Sequence, residues 1–244
     1  MSDESPSPIH AEIVQWRMKI FLRSPLRRKL LVRAMRMLDK VNGQQVLEMS
    51  ADDAVGVAMR NAGGGGGAVW TSLAVSETQA ELLAEAGIDR IHLAVLPQLP
   101  FEDGSFDAVV ASDMLEYVDK PADLMAELHR TLRSKTRLIL HVRRKRRTLV
   151  GWFRKLSGLT DPVRPMVHPG FTPTELFDVL KDGFDVQETA GYGRFFSEFA
   201  SLLAELFAGV IPSSCEPAAL NERRLRRAAA VFTAFTPIFW LAGL

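Results

Sequence analysis

The spacing of hydrophobic positions along this 244-residue chain changes several times, and each change marks an element. Between residues 9 and 41 apolar positions recur at Ile13, Trp16, Ile20, Leu30, Leu31, Met35 and Leu38, a helical spacing. Pro25 removes a backbone donor inside that run, so two helices separated at Ser24 are predicted. From residue 44 short apolar runs alternate with helical stretches. Strands are predicted over 44–49, 68–73, 91–95, 106–112 and 137–142, with helices over 53–62, 77–86 and 121–132 between them. The run at 106–112 is almost continuously apolar, as in a strand covered on both faces. Such alternation predicts a parallel sheet with right-handed crossovers. A further helix over 172–180 and a strand over 184–189 follow. The five glycines at 63–67 end a helix and read as a turn, because no Lys-Ser/Thr follows to make a phosphate cradle.

The last fifty residues differ. Phe195, Phe196, Phe199, Leu202, Leu203, Leu206 and Phe207 form a wide helical stripe over 195–210. Residues 228–244 then carry no charge and follow Arg223, Arg224, Arg226 and Arg227. A spanning helix needs about 20 apolar residues, and Pro237 interrupts this stretch. Two readings stay open: a helix lying at a membrane interface, or one packed on the sheet or in a homo- or hetero-oligomeric interface.

Composition narrows the class. With 47% hydrophobic and 24% charged residues the chain is a folded globular protein. One cysteine, Cys215, excludes an intramolecular disulfide and a cysteine-rich metal site. No His/Cys/Asp/Glu group has metal-ligand spacing, so no metal is expected. The first seven residues lack the basic-then-apolar order of a secretory signal; a cytoplasmic protein is expected, with a peripheral place at the inner face of a membrane as an extension of that reading.

The net charge of +1 conceals an asymmetry. Residues 1–42 hold nine Lys/Arg against four Asp/Glu, and residues 43–142 hold seven against fifteen. Residues 143–155 then carry seven basic residues and no acid, with Trp152 and Phe153 among them. Basic flanks around an acidic centre fit an anionic partner, whether membrane surface, phosphorylated substrate or nucleic acid; the plainer reading is a set of solvated helix faces.

The segment Leu99-Pro-Phe-Glu-Asp-Gly-Ser-Phe-Asp-Ala-Val-Val-Ala-Ser-Asp-Met-Leu-Glu-Tyr-Val118 resembles the type 11 group of class I SAM-dependent methyltransferases. Further on, His168-Pro-Gly-Phe-Thr172, Glu175-Leu176 and Gly183-Phe184 are similar to that group's late pattern. The resemblance spans roughly residues 42–190. It implies an α/β Rossmann-like methyltransferase fold, a mostly parallel seven-stranded sheet with helices on both faces. Around this domain, residues 42–192, stand N-terminal basic helices (1–41) and a C-terminal helical, apolar extension (193–244).

The resemblance also implies S-adenosyl-L-methionine as cofactor, held beyond the C-terminal ends of the strands. The loop after the first strand, acidic-x-Gly-x-Gly-x-Gly in the family, reads Glu48-Met-Ser50-Ala51-Asp52-Asp53-Ala54 here. Glu48 keeps the acidic position, which helps hold the loop and the cofactor's amino group. Ser50, Asp52 and Ala54 replace the glycines. At the end of the second strand Ala74 replaces the carboxylate that binds the ribose hydroxyls. After the third, Val95 or Leu96 stands where an acid reads the adenine. Ser112 and Asp113 close the expected cofactor site, with Glu116 either facing it or capping the next helix.

Methyl transfer asks the protein for alignment and, for an oxygen nucleophile, a base. His168, Tyr117 and Tyr192 are the candidates; His141, inside a strand, reads as packed. The acceptor is expected to be a small or lipid-like molecule. Nucleic acid fits less well, since the chain lacks the Asn/Asp-Pro-Pro-aromatic motif and carries an apolar tail. Two other readings accompany methyl transfer: a catalytically inactive methyltransferase-like protein acting as partner or regulator, and an enzyme binding another ligand in the same cleft.

Overall fold

The computed structural model describes residues 8–38, 44–51, 53–63, 67–145, 156, 166–191, 195–208 and 222–241. Two helices, α1 (Pro8–Arg23) and α2 (Pro25–Leu38), meet at Ser24, the break predicted from Pro25. They lead into β1 (Gln45–Ser50), α3 (Asp53–Gly63), β2 (Val69–Ala74), α4 (Glu77–Glu85), β3 (Ile91–Leu93) and β4 (Phe106–Ser112). A short 3-10 turn (Leu115–Tyr117), α5 (Pro121–Thr131) and β5 (Leu132–His141) follow. The described chain ends in α6 (Pro173–Leu180), α7 (Phe195–Ala208), α8 (Glu222–Ala234) and α9 (Thr236–Leu241).

All five strands are parallel, in the order β3-β2-β1-β4-β5. The period-two alternation of β1 and β4 sorts their side chains onto two cores. Leu47, Met49, Val109 and Ala111 enter one, closed by Leu124 and Leu128 of α5 and Leu180 of α6. Val46, Ala108 and Val110 enter the other, with Leu30, Ala34 and Leu38 of α2 and Val55, Ala58 and Met59 of α3. Helices therefore cover both faces, which is why β4 could be so uniformly apolar.

Three expectations change. Five strands, not seven, form the sheet among the described residues. Residues 184–189 are not a strand: Phe184 packs on the core and against the His129 ring, but Asp185 to Glu188 are exposed and pair with no strand among the described residues. Only one of its two apolar positions has a face to bury. β5 starts at Leu132 rather than near Arg137, because a bulge lets Leu132 pair with Phe106 before Ala108 pairs with Arg137. Lys135 takes the left-handed turn of that bulge (φ 62°), and Arg133 ties it to Gly104 O and Asp107.

The chain's two ends share a core. Ile13 and Ile20 of α1 pack with Ala204 and Ala208 of α7, with Leu225, Ala228, Ala229 and Phe232 of α8, and with Phe239 of α9. The uncharged tail is thus not one helix: α8 begins at Glu222, includes the arginines, and yields to α9 beside Pro237. Among the described residues no helix is long and apolar enough to cross a membrane. Trp152, Phe153 and most of the basic run at 143–155 lie outside the described residues.

Candidate active site at the C-terminal edge of the sheet

Strands are added on one side of β1 up to β3 and on its other side from β4, and in sheets of this kind ligands bind beyond the C-terminal strand ends at such a switch point. Ser50 and Ser112 are register partners there, and Ser112 in turn pairs with His141. The ladder runs one residue further, through Ala51 N–H to Ser112 O and Asp113 N–H to His141 O, both 3.0 Å. Ser50, Ala51, Ala74 and Ser112 are all buried at this edge, and Ser112 Oγ has no hydrogen-bond partner among the described residues. Leu96, partly buried beside the core, precedes Pro97 through a cis peptide bond. Asp52 and Tyr192 lie outside the described residues.

Glu48 sits one step back from the edge. It shares the face of Val46, beneath α3, and is buried. A Cβ added at Gly56 would stand 2.5 Å from its Oε2 and 2.7 Å from its Cδ. Its charge also favours the protonated form of Arg60, although burial is the larger influence and lowers that pKa. The acidic position of the loop motif is therefore a foot for α3, and Gly56 is the residue that makes room for it.

Gln79 closes the seam between β1 and β2. Its amide Nε2 donates to Ser50 O at 2.8 Å and its Oε1 accepts from Val75 N–H at 3.1 Å. Ser76 caps α4 by accepting from Gln79 N–H at 3.2 Å. The Ser-x-x-Gln spacing is that of a capping box, a signal present in the sequence, but here the glutamine reaches across the sheet edge instead of back to its own cap. Replacing Gln79 with Ala should destabilise the fold by about 1–3 kcal/mol, the cost of stranding a buried carbonyl and amide. Gln79→Glu should recover little of the loss, because a carboxylate cannot donate to Ser50 O. Denaturant unfolding of the two variants measures both.

The β4–β5 side of this edge is built from charges. Asp113 has a left-handed backbone (φ 52°), which aspartate tolerates better than most residues. Its Oδ1 lies 3.2 Å from His141 Nδ1 and 3.9 Å from Arg143 Nε. Burial alone would raise the Asp113 pKa, but His141 and Arg143 outweigh it and hold the carboxyl at about 2. Burial likewise works against a charged His141, and Asp113 outweighs it, so the imidazole pKa is raised.

Glu116 is fully buried behind this pair. Burial first, and then the charge of Asp113, push its carboxyl up to about 7. Its Oε1 accepts the Arg143 N–H, and its Oε2 has no hydrogen-bond partner among the described residues. The Glu116 carbonyl accepts from Val167 N–H at 2.8 Å and His168 N–H at 3.0 Å, anchoring the late His-Pro-Gly-Phe-Thr segment to the edge. Gly170, at φ 126°, is needed where that segment crosses: a Cβ would meet Arg143 O at 2.7 Å. Thr172 and Glu175 then form the capping box that starts α6.

Of the expected bases, His168 is brought to the edge by its backbone; its ring lies against Phe171, and its Nε2 is buried with no hydrogen-bond partner among the described residues. Tyr117 packs on the core. Taken singly in the sequence, His141 reads as a packed strand residue and Arg143 as part of a basic run. Their pairing with Asp113 depends on β5 lying beside β4, which spacing along the chain does not reveal. Among the described residues no metal-binding group exists.

Residues 57–140 match the model of a family described as Methyltransferase domain, which includes the Leu99–Val118 segment. No curated protein matches the chain. Solved structures share its fold. A candidate sarcosine dimethylglycine methyltransferase from Galdieria sulphuraria superposes with a TM-score of 0.56 at 16% identity, covering 84% of this chain and 80% of that one. A geranyl diphosphate methyltransferase in complex with SAM gives 0.55 at 18% identity, over 84% and 80% of the two chains. The 4+2 cyclase SpnF gives 0.54 at 19%, over 83% and 74%. The chain has the α/β Rossmann-like fold of class I methyltransferases, and the cyclase illustrates that this fold alone does not fix a chemistry.

Proposed function

We propose that the chain is a SAM-dependent methyltransferase whose base is the Asp113–His141 pair, acting on a small or lipid-like acceptor. The observation that carries this reading is the pair itself: a carboxylate 3.2 Å from the inner ring nitrogen of a partly exposed histidine, at the strand edge where the fold takes ligands. Asp113 holds the imidazole's orientation and favours its charged form, so His141 takes a proton from an acceptor hydroxyl or amine. Arg143 balances the carboxylate, and buried Glu116 fixes the β5 end and the His168 segment around it.

The edge fits the cofactor in part. Ser50, Ala51 and Ser112, with its orphaned Oγ, would take the methionine end, and Leu96 offers an apolar face to the base. At the ribose end Ala74 has no carboxylate and the Gln79 amide is committed to Ser50 and Val75. When bound, the cofactor supplies an already activated methyl group. The missing ribose contact leaves binding weak, at a Kd of ~10–1000 µM, or about −7 to −4 kcal/mol.

A second reading has its own observation. The same Ala74 and Gln79 close the ribose position, as in a chain that keeps the fold as a binding partner without catalysis. Calorimetric titration with SAM and its demethylated product separates the two. Saturable binding in that range supports methyl transfer; its absence up to about a millimolar removes it in favour of the second reading. In the binding case, Asp113→Asn should lower the His141 pKa, read by NMR titration of the ring.

A further inference from the structure

Trp16, Lys19 and Arg23 of α1 and Arg226, Ala230 and Thr233 of α8 line a cavity of about 270 Å³, on elements that take no part in the strand-end site. Its walls come from opposite ends of the chain, held together by the core that α1 shares with α7, α8 and α9. Among the described residues three cationic side chains converge on it and no carboxylate lines it. The Lys19 ammonium stands 4.3 Å from the centre of the Trp16 ring, so the indole steadies one of the cations at the wall. Arg223, Arg224 and Arg227 add exposed positive charge to the same helix.

A cavity with this lining selects an anion with several oxygen acceptors, above all a phosphate group. A second observation decides between a soluble phosphate and a membrane. The helical bundle that carries the cavity also exposes apolar side chains: Leu22 beside Arg23 on α1, and, on the helices packed with α1 and α8, Ile238 on α9 and Leu206 and Phe207 on α7, Phe207 being 62% exposed. Basic groups around an amphipathic indole, with exposed aliphatic and aromatic side chains on the same bundle, match the requirements of a bilayer surface. We propose that the α1–α8 groove binds the headgroup phosphate of anionic phospholipid and docks the protein on a membrane. No helix needs to cross the bilayer for this, and the inference stands or falls separately from cofactor binding.

Flotation of the full chain with vesicles tests it. The wild type should float with phosphatidylcholine vesicles containing phosphatidylglycerol and not with phosphatidylcholine alone. Joint replacement of Arg23→Glu and Arg226→Glu, both exposed, should weaken binding at least ~tenfold, with an unchanged circular dichroism spectrum. The charge-matched control, Lys120→Glu with Lys181→Glu, should bind as the wild type does. No flotation, or flotation equal for the groove variant and the wild type, overturns the proposal. So does calorimetric binding of glycerol 1-phosphate by a protein that ignores vesicles, which would make the cavity a site for a soluble phosphate.

Discussion

Glu116→Gln should flatten a fall in stability that the wild type shows as pH rises from about 4.5 to about 7. The buried carboxyl has a folded pKa of about 7 against an ordinary glutamate value of 4.5. Between those values it is protonated when folded and ionised when unfolded. Its contribution is therefore complete below pH 4.5 and lost as the pH rises through 7. A displacement of that size corresponds to on the order of 3 kcal/mol. His141, whose pKa is also raised, acts in the same direction: its contribution is present below 6.5 and lost as the pH passes its folded value. Asp113 acts oppositely, contributing above 3.8 and losing that contribution as the pH falls towards 2. Glutamine keeps the acceptor for the Arg143 N–H and removes the ionisation. The variant should thus match the wild type near pH 4 and exceed it at pH 8, the reverse of an ordinary core substitution. Thermal unfolding across that range measures the difference; parallel profiles for the two proteins would show that the carboxyl does not titrate as assigned.

Gly56→Ala should destabilise the wild type and stabilise a variant lacking the Glu48 side chain. In an exposed helix interior, alanine for glycine gains about 1 kcal/mol. Here the new methyl group would stand 2.5 Å from Glu48 Oε2 and 2.9 Å from its Oε1. A carboxylate at the end of a flexible side chain can usually retreat, but this one is 2% exposed and lies beneath packed α3. Overpacking of that kind costs about 1–3 kcal/mol, enough to reverse the gain. With Glu48→Ala the obstacle is gone, and the helix preference returns. A double-mutant cycle by denaturant unfolding should yield a coupling of about 2 kcal/mol. Additive effects would mean that Glu48 does not occupy the space beneath Gly56.

The methyltransferase-like centre of the chain was readable because its elements obey local rules. β1, β2, β4 and α5 announce themselves by apolar runs and helical spacing, and the break at Pro25 follows from one missing N–H. Misreadings occurred where pairing decides. Phe184 and Val186 alternate as a strand should, yet the described sheet offers that segment no partner. The start of β5 was hidden because Arg133, Ser134 and Lys135 look like loop but belong to a bulged pairing. The union of α1 with α7, α8 and α9 joins residues some 200 positions apart, and no local pattern encodes it. In the site, resemblance located Ser50, Ser112, Asp113 and His168 at or near the strand ends. It did not locate Gln79, whose role depends on Ser50 O being across the edge, or the Asp113–His141 pair, which exists only because β4 and β5 are adjacent.

Amide hydrogen exchange with and without saturating demethylated cofactor decides whether the strand ends form a methyl-transfer site, because it reports where a ligand binds as well as whether it does. Protection should concentrate at residues 50–51, 75–79 and 112–117, the ends of β1, β2 and β4, with helices α1 and α8 unchanged. Binding without protection at those strand ends, or protection confined to the helical bundle, would contradict a methyl-transfer site at the edge of this sheet.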